Sequence, residues 1–247
     1  MGTRAVLFDA VGTVFTVREA VGTTYARIAS AHGLDVDPVH VETGFRRALV
    51  AAPPLAFPGI PPDERAGRER GWWRTIVAAA LAAAGARRCT PALFEAIFAH
   101  YAGPHAWRLY DDVLPALRLL RVGGYRLGLV SNFDARIVPV ITGLGLGAAF
   151  DTVVFSTAVG AAKPARAIFA RALGMLASTP RDAVHVGDDL RADVRGAHAI
   201  GIHPVLLRRG GIADRAPGVS VIHRLDQLPP LVRRRRDAMR PPRTLRG

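Results

Sequence analysis

The chain has 247 residues, half of them hydrophobic, and a formal net charge of +13. That is enough for one sizeable core, or a core domain with a smaller companion, and too apolar for a disordered chain. No apolar stretch reaches the ~20 residues that span a bilayer, and the first residues lack a basic region followed by a long apolar core. The expectation is a cytoplasmic globular protein with no membrane association. Cys89 is the single cysteine, which excludes an internal disulfide and a multi-cysteine metal centre and reads as a small packing residue.

In chain order, Ala5 to Phe8 is a short, partly β-branched apolar run entering a turn at Gly12, the pattern of a buried strand. From Thr13 the period becomes helical. Val21, Tyr25, Ile28 and Ala29 share one helix face ending near Gly33, and a second helix covers Pro38 to Val50. The Pro-rich stretch from Pro53 to Pro62 interrupts. Trp72 to Ala84 and Pro91 to Tyr101 read as two further helices, so that residues 16–108 are expected to be helical. Trp72, Trp73 and Trp107 are assigned to packing in or beside this block, with pocket lining as the lesser alternative.

From Asp111 helix and strand alternate. Helices are predicted at Val113 to Leu120, Ala135 to Leu144, Ala165 to Leu173 and Leu190 to Ala199, and strands at Tyr125 to Val130, Thr152 to Phe155, Ala183 to Val186 and His203 to Leu207. Such alternation predicts right-handed βαβ units and a parallel sheet covered on both faces. The run Gly143-Leu-Gly145-Leu-Gly147 follows a helix and precedes a strand, the reverse of a dinucleotide fingerprint, and marks a helix end. From Arg233 onward seven Arg face only Asp237. Residues 232–247 therefore read as a solvated, disordered tail, favoured over an arm for nucleic acid or an acidic partner. Only one basic residue besides Arg occurs, Lys163, and its compact ammonium is not interchangeable with a guanidinium fork.

In parallel α/β sheets ligands meet the carboxyl ends of the strands. The residues just past the predicted strands are Asp9, then Ser131-Asn132-Phe133-Asp134, then Gly187-Asp188-Asp189, with Lys163 before Pro164 able to reach the same edge. Asp9, Asp188, Asp189 and Asp193 make an oxygen site suited to a hard divalent cation such as Mg2+. A competing role for one of the pair Asp188 and Asp189 is to cap the helix at Leu190. His185 falls within a strand and reads as a core residue, and His105 as an exposed linker residue near the end of the helical block, with a proton donor beside Asp9 as the lesser alternative.

These four clusters, in this order, resemble the four motifs of the haloacid-dehalogenase-like hydrolase superfamily, over residues 5 to about 207. The resemblance implies a Rossmann-like doubly wound parallel sheet as core (1–15 and 109–231) with an inserted α-helical cap (16–108). It implies Asp9 as nucleophile, Ser131 and Lys163 on the phosphoryl group with Thr13 and Asn132 beside them, and Mg2+ held by Asp9, the Val11 backbone carbonyl, Asp188, Asp189 and Asp193. The substrate would be a small phosphorylated molecule. The chain departs from the phosphatase pattern at one point: Val11 stands where those enzymes place an acid/base Asp. It is similar to a subgroup with an Asp-x-x-Gly-Thr first motif and a Ser-Asn-Phe-Asp second motif. The expected function is a Mg2+-dependent phosphatase-like hydrolase with weakened or altered catalysis. The alternatives are a 2-haloacid dehalogenase, whose halide leaves without protonation, and a phosphoryl-ligand or protein-binding member without turnover.

Overall fold

The computed structural model describes residues 4–211 and 218–238. Strand β1 (Ala5–Phe8) is followed by β2 (Phe15–Val17) and by four helices, α1 (Val21–Ala31), α2 (Pro38–Ala51), α3 (Arg65–Ala83) and α4 (Pro91–His100). Strand β3 (Trp107–Leu109) then pairs antiparallel with β2, so a two-stranded ribbon leads into and out of the helical block. The alternating half runs α5 (Val113–Val122), β4 (Arg126–Ser131), α6 (Ile137–Gly143), β5 (Thr152–Phe155), the one-turn α7 (Ser156–Val159), α8 (Arg166–Met175) and β6 (Ala183–Gly187). It ends with a wide-turned π-helix at Leu190–Arg195 that continues into α9 (Gly196–His198), then β7 (His203–Leu207), β8 (Ser220–Ile222) and α10 (Leu228–Ala238).

Six strands form one parallel sheet in the order β5-β4-β1-β6-β7-β8. The chain starts in the middle and winds outward both ways, which is the doubly wound, Rossmann-like arrangement. Strand β1 is fully buried, and its alternation divides two cores. Val6 and Phe8 join Leu127, Leu129, Val184 and Val186 on the face covered by α5, α6 and α10. Ala5 and Leu7 join Val130 and Val154 on the face covered by α8 and α9. The first of these cores is continuous with the helical block, since Tyr25, Val77, Leu81, Phe94 and Ile97 belong to the same cluster as Phe8. Edge-on ring contacts link Phe15 to Trp107, Trp107 to Tyr101 and Tyr101 to Tyr25, carrying the packing from the ribbon into α1 and α4.

The polar seam between helical block and sheet converges on the loop after β4. Asp134, fully buried, accepts from the Trp73 indole Nε1 at 2.5 Å and from Arg136 Nη2 at 2.6 Å. Arg136 in turn donates to the Phe98 carbonyl of α4 and lies over the Phe98 ring. Buried Glu69 of α3 accepts from the Thr157 hydroxyl and the Ala135 amide, and Ser156 Oγ donates to the Leu55 carbonyl at 2.5 Å.

Three expectations need correction. Helix α3 begins at Arg65, seven residues before the expected start, because the Arg- and Glu-rich segment propagates a helix without an apolar stripe to announce it. Residues 16–108 are not wholly helical, since β2 and β3 reach into both ends. The tail does not start at 232. Leu228 and Val232 are buried four residues apart, holding α10 onto the sheet as far as Ala238, and Arg236 donates to the Gly123 carbonyl at 3.1 Å. The rest of the expected tail lies outside the described residues. Among the described residues no helix is long and apolar enough to cross a membrane.

Asp134 is wholly buried and forms an ion pair with Arg136. Arg136→Ala is expected to destabilise the fold by about 3–5 kcal/mol, the cost of stranding one member of a buried pair, as measured by urea unfolding.

Candidate active site

The carboxyl ends of β1, β4 and β6 bring Asp9, Ser131 and Gly187 side by side. The Asp9 amide donates to the Val186 carbonyl at 2.9 Å, which continues the β1–β6 ladder by one residue and fixes where the Asp9 carboxylate points. Past it the chain turns sharply: the amides of Thr13, Val14 and Phe15 all reach the Ala10 carbonyl, and Gly12 N–H meets the Phe15 carbonyl. Gly12 has φ +87, and any Cβ there would collide with the Asp188 carboxylate. A Cβ on Gly187 would likewise strike the Asp193 carboxylate. Both glycines are therefore dictated by the approach of the acids.

Lys163 is 5% exposed and supplies the positive charge. Its Nζ donates to Asp9 Oδ1 at 2.5 Å and to Asp193 Oδ1 at 2.7 Å. Asn132 holds its backbone at two points, Nδ2 donating to the Lys163 carbonyl at 3.0 Å and Oδ1 accepting from the Lys163 amide at 2.6 Å. His185 Nε2 lies 2.9 Å from Asp193 Oδ1, and the Asp189 amide donates to Asp193 Oδ2 at 3.1 Å. Asp193 thus has both oxygens engaged within the protein.

Carboxylate oxygens of Asp9, Asp188 and Asp193 lie within 4.8 Å of one another. Three acids face one ammonium, and their titration reflects the imbalance. Burial, aided by Asp193 and Asp188 and only partly offset by Lys163, pushes the Asp9 carboxyl up to about 7. Burial and Asp193 push Asp188 up to about 6. Burial would raise Asp193 as well, but Lys163 and His185 outweigh it and hold that carboxyl well below the usual range. Burial opposes the Lys163 ammonium, while Asp193 and Asp9 more than compensate and keep it protonated. An acid-rich, oxygen-only cluster with too little positive charge is the donor set a hard divalent cation favours.

Of the residues singled out in the sequence, Asp9, Lys163, Asp188 and Asp193 come together. Asp189 does not: its carboxylate accepts from the amides of Arg191 and Ala192 and caps the helix at Leu190. The metal reading of Asp189 gives way to the competing cap. Ser131 is buried at the end of β4 on the same edge. Asn132 lines the cavity, but its amide is spent on positioning Lys163. Thr13 is fully buried beneath the turn, its hydroxyl without a hydrogen-bond partner. Of the histidines, His185 is buried in β6 as expected, whereas His105 is exposed and pairs with His100 at 3.2 Å.

Two arginines that the sequence reading passed over hold this edge. Arg209 donates to the carbonyls of Gly12 and Thr13 and, at 2.9 and 3.0 Å, to both oxygens of Asp112, while Arg208 donates to the Asp188 carbonyl. They directly follow β7 at its carboxyl end, so the rule that located the other residues, taken one strand further, points to them.

Above the edge lies a cavity of about 710 Å³, roofed by the helical block. Val11, 39% exposed, lines it with Asn132 and Lys163 at the sheet end. The lining is aromatic and aliphatic and includes all three tryptophans, of which Trp107 also belongs to the core and Trp73 packs against it, so packing and pocket lining are combined.

A parallel sheet with an acid, a buried lysine and a paired acidic loop converging on its carboxyl edge defines a hydrolase of the haloacid-dehalogenase-like type. Residues 3–201 match the model of the haloacid dehalogenase-like hydrolase family, and the chain belongs to that family. It is 35% identical over 221 residues to haloacid dehalogenase-like hydrolase domain-containing protein 3 of Mus musculus, covering 88% of this chain and 87% of that protein. A crystal structure of a HAD phosphatase from Thermococcus onnurineus superposes with TM-score 0.64 at 27% identity, covering 95% of this chain and 100% of the other. A 2-haloacid dehalogenase from Pseudomonas syringae pv. Tomato DC3000 superposes with TM-score 0.67 at 25% identity, covering 94% and 99%.

Asp9 and Asp188 bind protons more tightly folded than unfolded, where their ordinary value is 3.8. Between about pH 4 and 7 the folded chain therefore holds more protons, and the stability these groups contribute falls as pH rises through that window. A divalent cation bound there would displace those protons and cancel the repulsion. Saturating Mg2+ is expected to raise Tm more at about pH 8 than at about pH 5, measured by differential scanning fluorimetry.

Proposed function

We propose that this protein is a magnesium-dependent phosphatase-type hydrolase of a small phosphorylated molecule, with Asp9 as nucleophile and with proton transfer weakened by Val11. The observation that carries this reading is the Lys163 bridge between Asp9 and Asp193 at the floor of the cavity, beside an Asp188 carboxylate free to take a cation.

Asp9, Asp188 and the backbone carbonyl of Val11 would hold Mg2+, with Asp193 orienting Lys163 rather than binding the ion. The cation supplies charge neutralisation for an incoming phosphate dianion. The rest of the chemistry belongs to the chain. Asp9 presents an ionised oxygen to phosphorus and becomes an aspartyl phosphate. Lys163 screens the repulsion between that carboxylate and the phosphoryl oxygens, and its charge is already in place before substrate arrives. Asn132 keeps Lys163 in register, Ser131 stands at the phosphoryl position on the neighbouring strand, and the helical block acts as a cap that excludes water. Val11 offers a carbonyl but no proton. General acid/base catalysis contributes ~10²–10⁴-fold, so turnover proceeds without roughly 3–5 kcal/mol of barrier lowering.

A second reading has its own support. Val11 suits a halide, which leaves unprotonated, and the Pseudomonas syringae structure is a 2-haloacid dehalogenase. Against it, a metal-free site would leave Asp188 unneutralised beside Asp9.

Asp9→Asn is expected to abolish turnover of phenyl phosphate, and Val11→Asp to raise kcat/KM about tenfold or more, both in steady-state phosphate release. A chelator should abolish the wild-type rate. Halide release from a 2-haloacid that survives the chelator would establish the dehalogenase instead, and phosphate binding without turnover of either substrate would establish a binding role.

A further inference from the structure

The cavity and Val11 at its sheet end restrict the substrate more than the reaction class does. Tyr25, Phe45, Trp72, Trp73, Phe98 and Trp107 surround the space above the Asp9 edge, and aliphatic side chains such as Val21, Leu49 and Val77 fill the gaps between them. Most polar side chains of the lining are committed, the exposed Arg191 guanidinium and the unpartnered Tyr101 hydroxyl excepted. The Asp189 carboxylate caps its helix, Asn132 holds Lys163, Arg136 is paired with Asp134, and Lys163 is paired with Asp9 and Asp193. A sugar or polyol body carries more hydroxyls than Arg191 and Tyr101 can meet, and each one buried without a partner lowers affinity by roughly tenfold or more. A volume of about 710 Å³ is in the range that encloses a drug-sized body.

Val11 adds an independent constraint. It lines the cavity at 39% exposure, and its isopropyl group has no proton to give to a leaving oxygen. Among the described residues of the lining no uncommitted carboxylate or histidine replaces it. A leaving group that departs from this site must carry its own negative charge.

We propose, resting on the hydrolase reading above, that the substrates are aryl phosphate monoesters: a phosphoryl group on a phenolic oxygen of an apolar aromatic body. An aryl oxide meets both constraints, since the ring fills an aromatic cavity and a phenol, with a pKa near ~10, is a far better leaving group than an alcohol. The step balances without a further reactant. An Asp9 oxygen attacks phosphorus, the bond from phosphorus to the aryl oxygen breaks, and the aryl oxide leaves with the electron pair. Water then attacks phosphorus of the aspartyl phosphate and restores Asp9. Of that water's two protons, one ends on the released phosphate and the other is equivalent to the proton the aryl oxide takes from solvent.

The test compares kcat/KM of the full chain with Mg2+ on 2-naphthyl phosphate, glycerol 3-phosphate and a series of phenyl phosphates of stepped phenol pKa. Wild type should prefer 2-naphthyl phosphate to glycerol 3-phosphate by at least about 100-fold, and its rate should fall steeply as phenol pKa rises. Val11→Asp should flatten that dependence and favour the poorest leaving groups most. Leu49→Asp, at a half-exposed part of the lining, should lower the ratio of naphthyl to phenyl phosphate about tenfold. Glycerol 3-phosphate turned over within tenfold of naphthyl phosphate would overturn the aryl class while leaving the hydrolase intact, and so would an unchanged ratio in Leu49→Asp. No turnover of any ester, with Asp9→Asn indistinguishable from wild type, would overturn the hydrolase reading and the aryl class with it. If either variant fails to fold, the wild-type preference and slope decide alone.

Discussion

A lysine ammonium cannot be buried alone, and the floor of this molecule is organised around that constraint. Lys163 has its charge met by Asp9 from β1 and by Asp193 from the helix after β6. Both Asp193 and the lysine are themselves held in place: Asp193 by His185 and the Asp189 amide, Lys163 by the two-point grip of Asn132. Losing one partner of such a group is far more costly than never having buried it. Three separate segments of the sheet edge are therefore locked to one another by electrostatics, where packing alone would leave loops free to drift.

The same arrangement leaves a charge deficit, and function follows from the deficit. One ammonium balances one carboxylate and shares a second, while the third, Asp188, has no cation of its own among the described residues. Gly12 and Gly187 exist to let the acids come this close. A fold seeking only stability would separate these groups. Keeping them together fits the proposed function, in which a divalent cation would supply the missing positive charge, and Arg208 and Arg209, bound to backbone carbonyls of the two loops, hold the geometry without entering it.

The sheet was legible because its strands are short, apolar and bounded. Thr152 to Phe155 and His203 to Leu207 fall where periodicity puts them. The site was legible because one topological rule maps strand ends to a single edge. What escaped had physical reasons. Strand β8 has three residues, too few for alternation to register. Helix α10 is held by Leu228 and Val232 ahead of a basic run, Arg233 to Arg236, whose composition masks the helix. Asp188 and Asp189 are adjacent and chemically identical, so that only the backbone direction at Gly187 decides which one caps the helix and which one faces Asp9. Asp134 read as part of a motif, yet its work is mechanical, joining Trp73 and Arg136 across the seam.

That last contact makes the molecule legible in another way. The Trp73 indole is tied to a buried carboxylate on one edge and covered by the Arg136 guanidinium, 4.8 Å from the ring centroid, on its face. Any movement that lifts α3 from the loop after β4 must break the first contact and uncover the ring to water. An indole transferred from an ionic, water-poor setting to solvent changes its emission, so any such movement would carry a built-in optical signal that needs no attached dye.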